Sequence, residues 1–318
     1  MTSTTAPTPA LSLRGLRKEF ASPAGPVRAV DGVDLEIAPG EVVAFLGPNG
    51  AGKTSTIDMV LGLSAPTSGT VRVFGADPAD AIAAGRVAAV MQTGGLLRDI
   101  TVAETVALTA ALFGSSGSPV PYLERAGIAD LADRMVGTCS GGQQQRLRFA
   151  MALVSEPDLL LLDEPTTGMD VEGRREFWAA IRADAAAGRT VVFATHYLEE
   201  ADTYADRVVL VSEGRVVADG STTEVKSLAS GRTVSARVDD DGERAAVAAQ
   251  LRALPVVDAI DHRGSRLVVR TADSDDVARF LLTQTAARDL EVASDNLEDA
   301  FVALTTAATA SPLDGATR

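Results

Sequence analysis

The stretch Leu46-Gly47-Pro48-Asn49-Gly50-Ala51-Gly52-Lys53-Thr54-Ser55 constrains the fold of this chain more than any other. It fits the pattern G-x-x-x-x-G-K-[ST], with Gly47, Gly52, Lys53 and Thr54 at the defining positions. Glycines let backbone N–H groups crowd around phosphate oxygens with no Cβ in the way. A lysine at Lys53 brings a point charge to the β- and γ-phosphates, and the Thr54 hydroxyl suits Mg²⁺. The flanks agree with this. Val42 to Leu46 reads as a buried strand, and Thr54 to Leu63 as the helix whose N-terminus faces the phosphates. Strand, loop and helix in that order define a nucleotide-triphosphate site on an α/β core.

Composition narrows what surrounds that site. At 318 residues the chain has room for about two domains. Aromatics are 4% of it, so alanine, valine and leucine must fill the cores. A net charge of −14 argues against nucleic acid as a partner, because phosphate neutralisation needs exposed Lys and Arg. Lys18, Lys53 and Lys226 are the only lysines, and one of them stands in the glycine loop. The single cysteine, Cys139, excludes an internal disulfide and fits a reducing compartment. No apolar run approaches the ~18–20 residues of a membrane helix. Met1 to Ala10 has neither the basic start nor the apolar middle of a signal peptide.

Read in order, the chain falls into a tail, a large domain, a small domain and a second tail. Residues 1–10 read as a disordered tail. Leu11 to Phe20 and Val30 to Ile37 alternate at period two and form an all-β start. From Leu96 to Ser155 strand signals vanish: Thr101 to Phe113, Tyr122 to Leu131 and Gln143 to Val154 are helical patterns, a helical insert. Leu159 to Leu162, Thr190 to Thr195, Arg207 to Val211 and Arg215 to Ala218 return as strands, with a helix over Val171 to Ala187. The large domain runs over 11–225 and a small α+β domain over 232–306; residues 307–318 read as a second disordered tail.

Beyond the glycine loop, two stretches carry chemistry. The four-leucine strand ends in Asp163-Glu164-Pro165. A carboxylate at the end of a buried strand facing such a loop is where Mg²⁺ finds a protein ligand, which assigns Asp163 to the metal. Glu164 is then placed to take a proton from the attacking water. An acidic strand cap is the plain alternative where no glycine loop is present. Ser140-Gly141-Gly142-Gln143 opens the last helix of the insert, leaving free N–H donors at a positive helix end. Alone it is an N-cap. As a second anion site it makes sense where two chains meet head to tail.

The set Gly47–Thr54, Gln92, Ser140–Gln143, Asp163–Glu164, Asp170 and His196, in this order, resembles the ATPase subunit of an ABC transporter. The resemblance covers Leu11 to Gly220 and implies a P-loop ATPase domain made of a β-subdomain, a RecA-like core and a helical insert. It implies ATP and Mg²⁺ as ligands, with Gly47, Pro48, Asn49, Gly50, Ala51, Gly52, Lys53, Thr54 and Ser55 around the phosphates. Thr54, Asp163 and Gln92 fall on the metal, and Gln92 also on the coupling surface. Ser140, Gly141, Gly142, Gln143 and Asp170 meet the partner subunit's ATP. His196 becomes the γ-phosphate switch, and Phe20 the ring stacked on adenine. Gln92 as a solvated strand-end residue, His196 as a buried histidine and Phe20 as a core residue beside Leu16 remain the alternatives.

Cys139 stands where the family usually has leucine, and Met169 replaces leucine in the turn before Asp170; both are apolar exchanges that packing tolerates. Asn296 to Leu304 is similar to the ending of ATPases that pair with ABC-2-type membrane subunits. Val136-Gly137-Thr138 is similar to the daunorubicin-resistance branch of that group. The resemblance therefore implies an exporter ATPase for drug or lipid-like cargo. It would work as a homodimer or paired subunit at the cytoplasmic face of the membrane, on a permease in a separate chain. A soluble ABC ATPase acting mechanically on a partner such as the ribosome, and an importer ATPase, are the rival readings.

Overall fold

Runs of β-branched and leucine residues place three strands side by side at the centre of the large unit. In the computed structural model, which describes residues 7–23, 25–91, 95–228, 232–294, 297–298, 300–301 and 304–305, every residue of β3 (Val42–Leu46), β6 (Leu159–Asp163) and β7 (Thr190–Ala194) is buried. Continuous apolar runs of this kind mark parallel strands covered on both faces. They belong to a sheet of order β5-β6-β7-β3-β8-β9, with β5 at Val87–Val90, β8 at Arg207–Ser212 and β9 at Arg215–Gly220. Asp163 pairs with Ala194, and Ala194 with Phe45, so three strands end at one level. Whatever leaves those ends meets above the sheet.

The start of the chain forms a separate antiparallel sheet of order β2-β1-β4, from β1 (Leu11–Phe20), β2 (Val27–Ile37) and β4 (Ser68–Val73). The tail expected over 1–10 does not include Ala10. Ala10 is fully buried; its N–H donates to the Ile37 carbonyl at 2.8 Å and its carbonyl accepts from the Phe74 N–H at 3.0 Å. An extended residue alongside a sheet edge has its backbone groups satisfied there. Residues 1–6 and 307–318 lie outside the described residues.

Helix α1 (Lys53–Val60) follows the glycine loop, and α2 (Pro78–Ala83) precedes β5. The insert holds α3 (Val102–Leu112), α4 (Val120–Arg125) and α5 (Gly141–Leu153). The helix expected over Tyr122 to Leu131 is broken. It stops at Arg125, because Gly127 takes φ +66° and a 3₁₀ turn over Ala129–Leu131 replaces the next α-turns. The scarce aromatics gather on α6 (Val171–Ala186). Trp178 packs against Phe193 of β7 with centroids 4.5 Å apart and stacks on Tyr204 of α7 (Leu198–Tyr204) at 4.7 Å. Phe177 meets Phe149 of α5 edge-on at 5.4 Å.

Two arginines and two carboxylates fasten α4 to the core. Asp184 Oδ1 accepts from Arg125 at 2.8 Å and from Arg189 at 2.6 Å. Glu156 accepts from the same two arginines at 2.6 and 2.7 Å.

The chain forms two compact units, Met1–Asp219 and Gly220–Arg318. In the second, helix α8 (Thr222–Leu228) is followed by β10 (Arg232–Arg237), α9 (Asp241–Arg252), β11 (Val257–Arg263), β12 (Arg266–Thr271), α10 (Ser274–Gln284) and β13 (Arg288–Ser294). The sheet order is β11-β12-β10-β13, a split β-α-β-β-α-β arrangement. Val234, Ala236, Leu267 and Val269 turn to the helices, where Val247, Leu251, Val277 and Leu281 close the core. Asn296 lies outside the described residues; Leu297 and Ala300 are helical and buried.

Asp184 is 7% exposed, and removing it leaves Arg125 and Arg189 each short of a partner. Asp184→Ala should cost about 3 kcal/mol of stability. Urea unfolding followed by tryptophan fluorescence measures this, and a loss under ~1 kcal/mol would show the network to be solvent-compensated.

Candidate nucleotide site

The glycine loop leaves β3 at the level where β6 and β7 end, and its shape is set by close backbone packing. A Cβ on Gly47 would lie 2.3 Å from the Val211 carbonyl oxygen, and one on Gly52 would lie 2.1 Å from that of Ala29. Gly52 also takes φ +101°, which L side chains avoid. The Gly214 N–H donates to the Ala51 carbonyl at 3.0 Å and the Asp31 N–H to the Gly214 carbonyl at 2.8 Å. Asp31 is itself held by Arg17 and Arg215, and the Arg215 hydrogen bond keeps its carboxyl below the usual range. The loop therefore rests on β2 and on the turn between β8 and β9.

Lys53 is 9% exposed, and its Nζ donates to the Gly47 carbonyl at 2.6 Å and to the Pro48 carbonyl at 3.2 Å. Burial lowers its pKa, against the pull of Glu164 and Asp163. Asp163, also 9% exposed, is pushed up by burial, then by Glu164, with Lys53 opposing and Asp58 adding to the rise. Thr54, on the first turn of α1, is exposed.

Glu164 takes φ +50°, an uncommon conformation for a non-glycine residue, and its N–H donates to the Ala194 carbonyl at 2.9 Å. Its Oε2 lies 2.6 Å from His196 Nδ1, and the His196 ring touches that of Tyr197. His196 is half-exposed at 53%, so the buried-histidine alternative falls. Phe20 is 45% exposed with Lys18 Nζ 5.1 Å from its ring centre, which removes the core alternative for it too. Gln92 lies outside the described residues.

A second cradle stands at the start of α5. Ser140 and Gln143 form a reciprocal cap: Ser140 Oγ accepts the Gln143 N–H at 3.3 Å and Gln143 Oε1 accepts the Ser140 N–H at 2.9 Å. Ser140, Gly142 and Gln143 line a cleft of about 640 Å³ together with Gly168, Met169 and Asp170. Asp170 caps α6 through the Gly173 N–H at 2.7 Å. Among the described residues, none of the glycine loop lines this cleft. Gly47–Ser55, Asp163, Glu164 and His196 thus form one group, and Ser140–Gln143 with Asp170 another. Cys139 is buried, and its Sγ donates to the Met135 carbonyl at 3.6 Å.

A glycine loop, a buried lysine and two successive carboxylates at the end of β6 define an α/β nucleotide-triphosphatase core. Residues 30–167 match the ABC transporter family. The daunorubicin/doxorubicin resistance ATP-binding protein DrrA of Streptomyces peucetius is 36% identical over 316 residues, covering 95% of this chain and 94% of its own. Nod factor export ATP-binding protein I of Paraburkholderia xenovorans is 37% identical over 288 residues, covering 88% and 93%. A dimeric ATP-binding cassette solved after hydrolysis with ADP and Pi superposes with a TM-score of 0.60 at 26% identity, over 66% of this chain and 98% of that one. The chain belongs to the ABC transporter family and is one of its ATP-hydrolysing cassettes.

Without nucleotide, the burial of Asp163 beside Glu164 is unfavourable. A carboxyl whose pKa is raised in the native state binds its proton there before the unfolded chain does. Native stability is thus weakened at pH values above the raised pKa and recovers as pH falls through it. Asp163→Asn should raise the melting temperature of the nucleotide-free protein at neutral pH, with the gain shrinking on acidification. Scanning calorimetry across pH 4–8 checks this; a lower melting temperature at neutral pH would show that its attraction to Lys53 dominates.

Proposed function

We propose that this chain powers an ABC-2-type exporter of drug or lipid-like cargo, acting as one of two ATPase subunits on a permease carried by a separate chain. The strongest support is the reach of the similarity to DrrA: it spans 95% of the chain, continuing through the C-terminal unit beyond the cassette. Among the described residues no helix is long and apolar enough to cross a membrane. In this reading the transport path belongs to the permease, and this chain works at its cytoplasmic face.

Each residue has a task in that reading. The amides of the Gly47–Gly52 loop and the first turn of α1 receive the phosphates. Lys53 Nζ, held on the Gly47 and Pro48 carbonyls, turns to the β- and γ-phosphates. Phe20 offers its exposed ring to adenine. The donor set fits Mg²⁺: one carboxylate (Asp163), one hydroxyl (Thr54) and Gln92 leave room for the waters and phosphate oxygens that ion retains, and a cation would reverse the rise in the Asp163 pKa. Bound there, Mg²⁺ neutralises charge on the phosphate oxygens.

Glu164 takes a proton from the attacking water, and His196 orients Glu164 and the γ-phosphate together. The second cradle closes the other subunit's site. Ser140, Gly141, Gly142 and Gln143 meet the partner's γ-phosphate with Asp170 at the seam, so the pair closes on ATP and opens once the phosphate leaves. In this reading 11–225 is the ATPase, with its helical part over 96–155, and 232–306 a unit particular to this exporter class, while residues 220–225 pack with the second compact unit.

Glu164→Gln should bind ATP, lose about 10²-fold or more in turnover and accumulate as a dimer on gel filtration with ATP. Wild-type hydrolysis, or a monomer regardless of nucleotide, would sink the general-base role. Extracted from membranes in mild detergent with ATP, the same variant should carry a polytopic membrane protein in near-equal amount. Recovery from the soluble fraction alone would favour a mechanical ATPase. Lys53→Ala should bind ATP about tenfold or more weakly by calorimetry, and unchanged affinity would refute its contact with phosphate.

A further inference from the structure

Two buried hydroxyls converge on one buried carboxylate below the catalytic pair. Glu200, on α7, is 2% exposed, and Thr166 and Thr195 are each 1% exposed. Glu200 Oε1 accepts from Thr166 Oγ1 at 2.5 Å, and Oε2 accepts from Thr195 Oγ1 at 3.0 Å. Thr166 stands two residues after Glu164, and Thr195 immediately before His196. One side chain thus holds the two loops that carry the general base and the switch histidine.

The surrounding bonds turn this contact into a frame. Thr195 Oγ1 also accepts the Tyr197 N–H at 3.0 Å, closing a tight turn around His196. The Glu164 N–H is tied to the Ala194 carbonyl at 2.9 Å, so both flanks of each loop are fixed. Arg174 Nε lies 3.5 Å from Glu200 Oε1, and its guanidinium covers the Tyr197 ring at 4.6 Å.

A carboxylate is costly to bury, and an apolar side chain of similar size packs such a place at less expense. What the carboxylate adds is direction, because each hydroxyl must point at its own oxygen. Glu164 needs that support, since φ +50° in a non-glycine residue persists only where the surroundings impose it.

We propose that Glu200 is a positioning residue for hydrolysis, holding Glu164 and His196 in register through Thr166 and Thr195. The inference rests on the reading of Glu164 as general base. Displacement of a base by about 1 Å costs on the order of 10²-fold in rate while leaving remote binding contacts intact. Glu200→Ala should therefore lower kcat about 10- to 100-fold, with KM and calorimetric Kd for ATP within about threefold of wild type. Glu200→Gln keeps the shape and one acceptor oxygen and should recover part of the loss. Adding Thr166→Val to Glu200→Ala should lower kcat little further, because both act through one bond.

The measurement is steady-state ATPase on the full chain, at a temperature where each variant is folded, beside Glu164→Gln. If Glu164→Gln is inactive and Glu200→Ala turns over within about twofold of wild type, the positioning role is overturned and the general base stands. An equal loss in kcat and ATP affinity would also overturn it, as general damage. If Glu164→Gln turns over normally, the general-base reading fails and takes this inference with it. Should Glu200→Ala fail to fold, Thr166→Val against Thr166→Ser decides. The hydroxyl-bearing variant should retain kcat and the valine lose about tenfold or more; equal rates in the two overturn the proposal.

Discussion

The nucleotide site depends on two places where backbone meets backbone with no room for a side chain. Gly47 faces the Val211 carbonyl and Gly52 that of Ala29, so the loop is laid directly on β8 and β2. That contact joins the antiparallel sheet to the parallel one, and the Asp31 carboxylate, between Arg17 and Arg215, holds the junction from the side. Everything that must face a phosphate is then referenced to a single level of the sheet. Lys53 follows the loop, while Asp163 and His196 follow strands whose ends are in register with β3. The loop is rigid because its neighbours are main chain, which cannot change rotamer.

The second cradle is built on the opposite principle. The Ser140 hydroxyl and the Gln143 side-chain oxygen each accept the other residue's main-chain N–H as a helix cap, and the cleft they share with Asp170 opens on the same chain's α6. A capped helix start keeps its geometry without a ligand, and its remaining N–H groups still point outward. Arg146 reinforces this: from α5 it reaches the Gly127 and Gly173 carbonyls at 3.2 and 2.9 Å and Glu176 at 2.6 Å, locking α5 to α6. Ser140 and Asp170 therefore move as one body. Among the described residues the glycine loop does not line this cleft, and in the proposed reading the two surfaces meet only between chains.

Much of this was legible in sequence because it was local. The leucine run before Asp163 and the valine-rich run before Gly47 could be nothing but buried strands, and the loop motif positioned itself between strand and helix. What escaped notice was tertiary. Glu200 sits in Leu198-Glu199-Glu200-Ala201-Asp202, a short acidic stretch that reads as a solvated helix face. Thr166, 34 residues earlier, and Thr195 together make it a buried acceptor. The one available signal was a threonine beside each catalytic residue, Thr166 after Glu164-Pro165 and Thr195 before His196, hydroxyls at strand ends that need partners once buried. Helix α2 leaves little trace in the sequence: Asp77-Pro78 is a fair start signal, but six residues give too short a window for periodicity. Apolar spacing alone carries the expected helix across Gly127, whose φ of +66° ends it.

In the proposed reading, the electrostatics around Lys53 and Asp163 bear on how nucleotide does mechanical work. Burial lowers the pKa of Lys53 and raises that of Asp163, although each lowers the cost of the other's charge. Both shifts have the same cause: charge has been taken from water before its ligand arrives. Such a site holds its donors and acceptors close to where a triphosphate would enter, leaving the Lys53 side chain as the group that turns from the Gly47 and Pro48 carbonyls. In the proposed reading, compensating these buried charges adds to what contact formation supplies. With the loop fixed on main chain and the second cradle fixed on α6, little of it is absorbed by rearranging either surface. What remains free to respond is the distance between one chain's loop and another's cradle, and that is where the energy of ATP binding would appear.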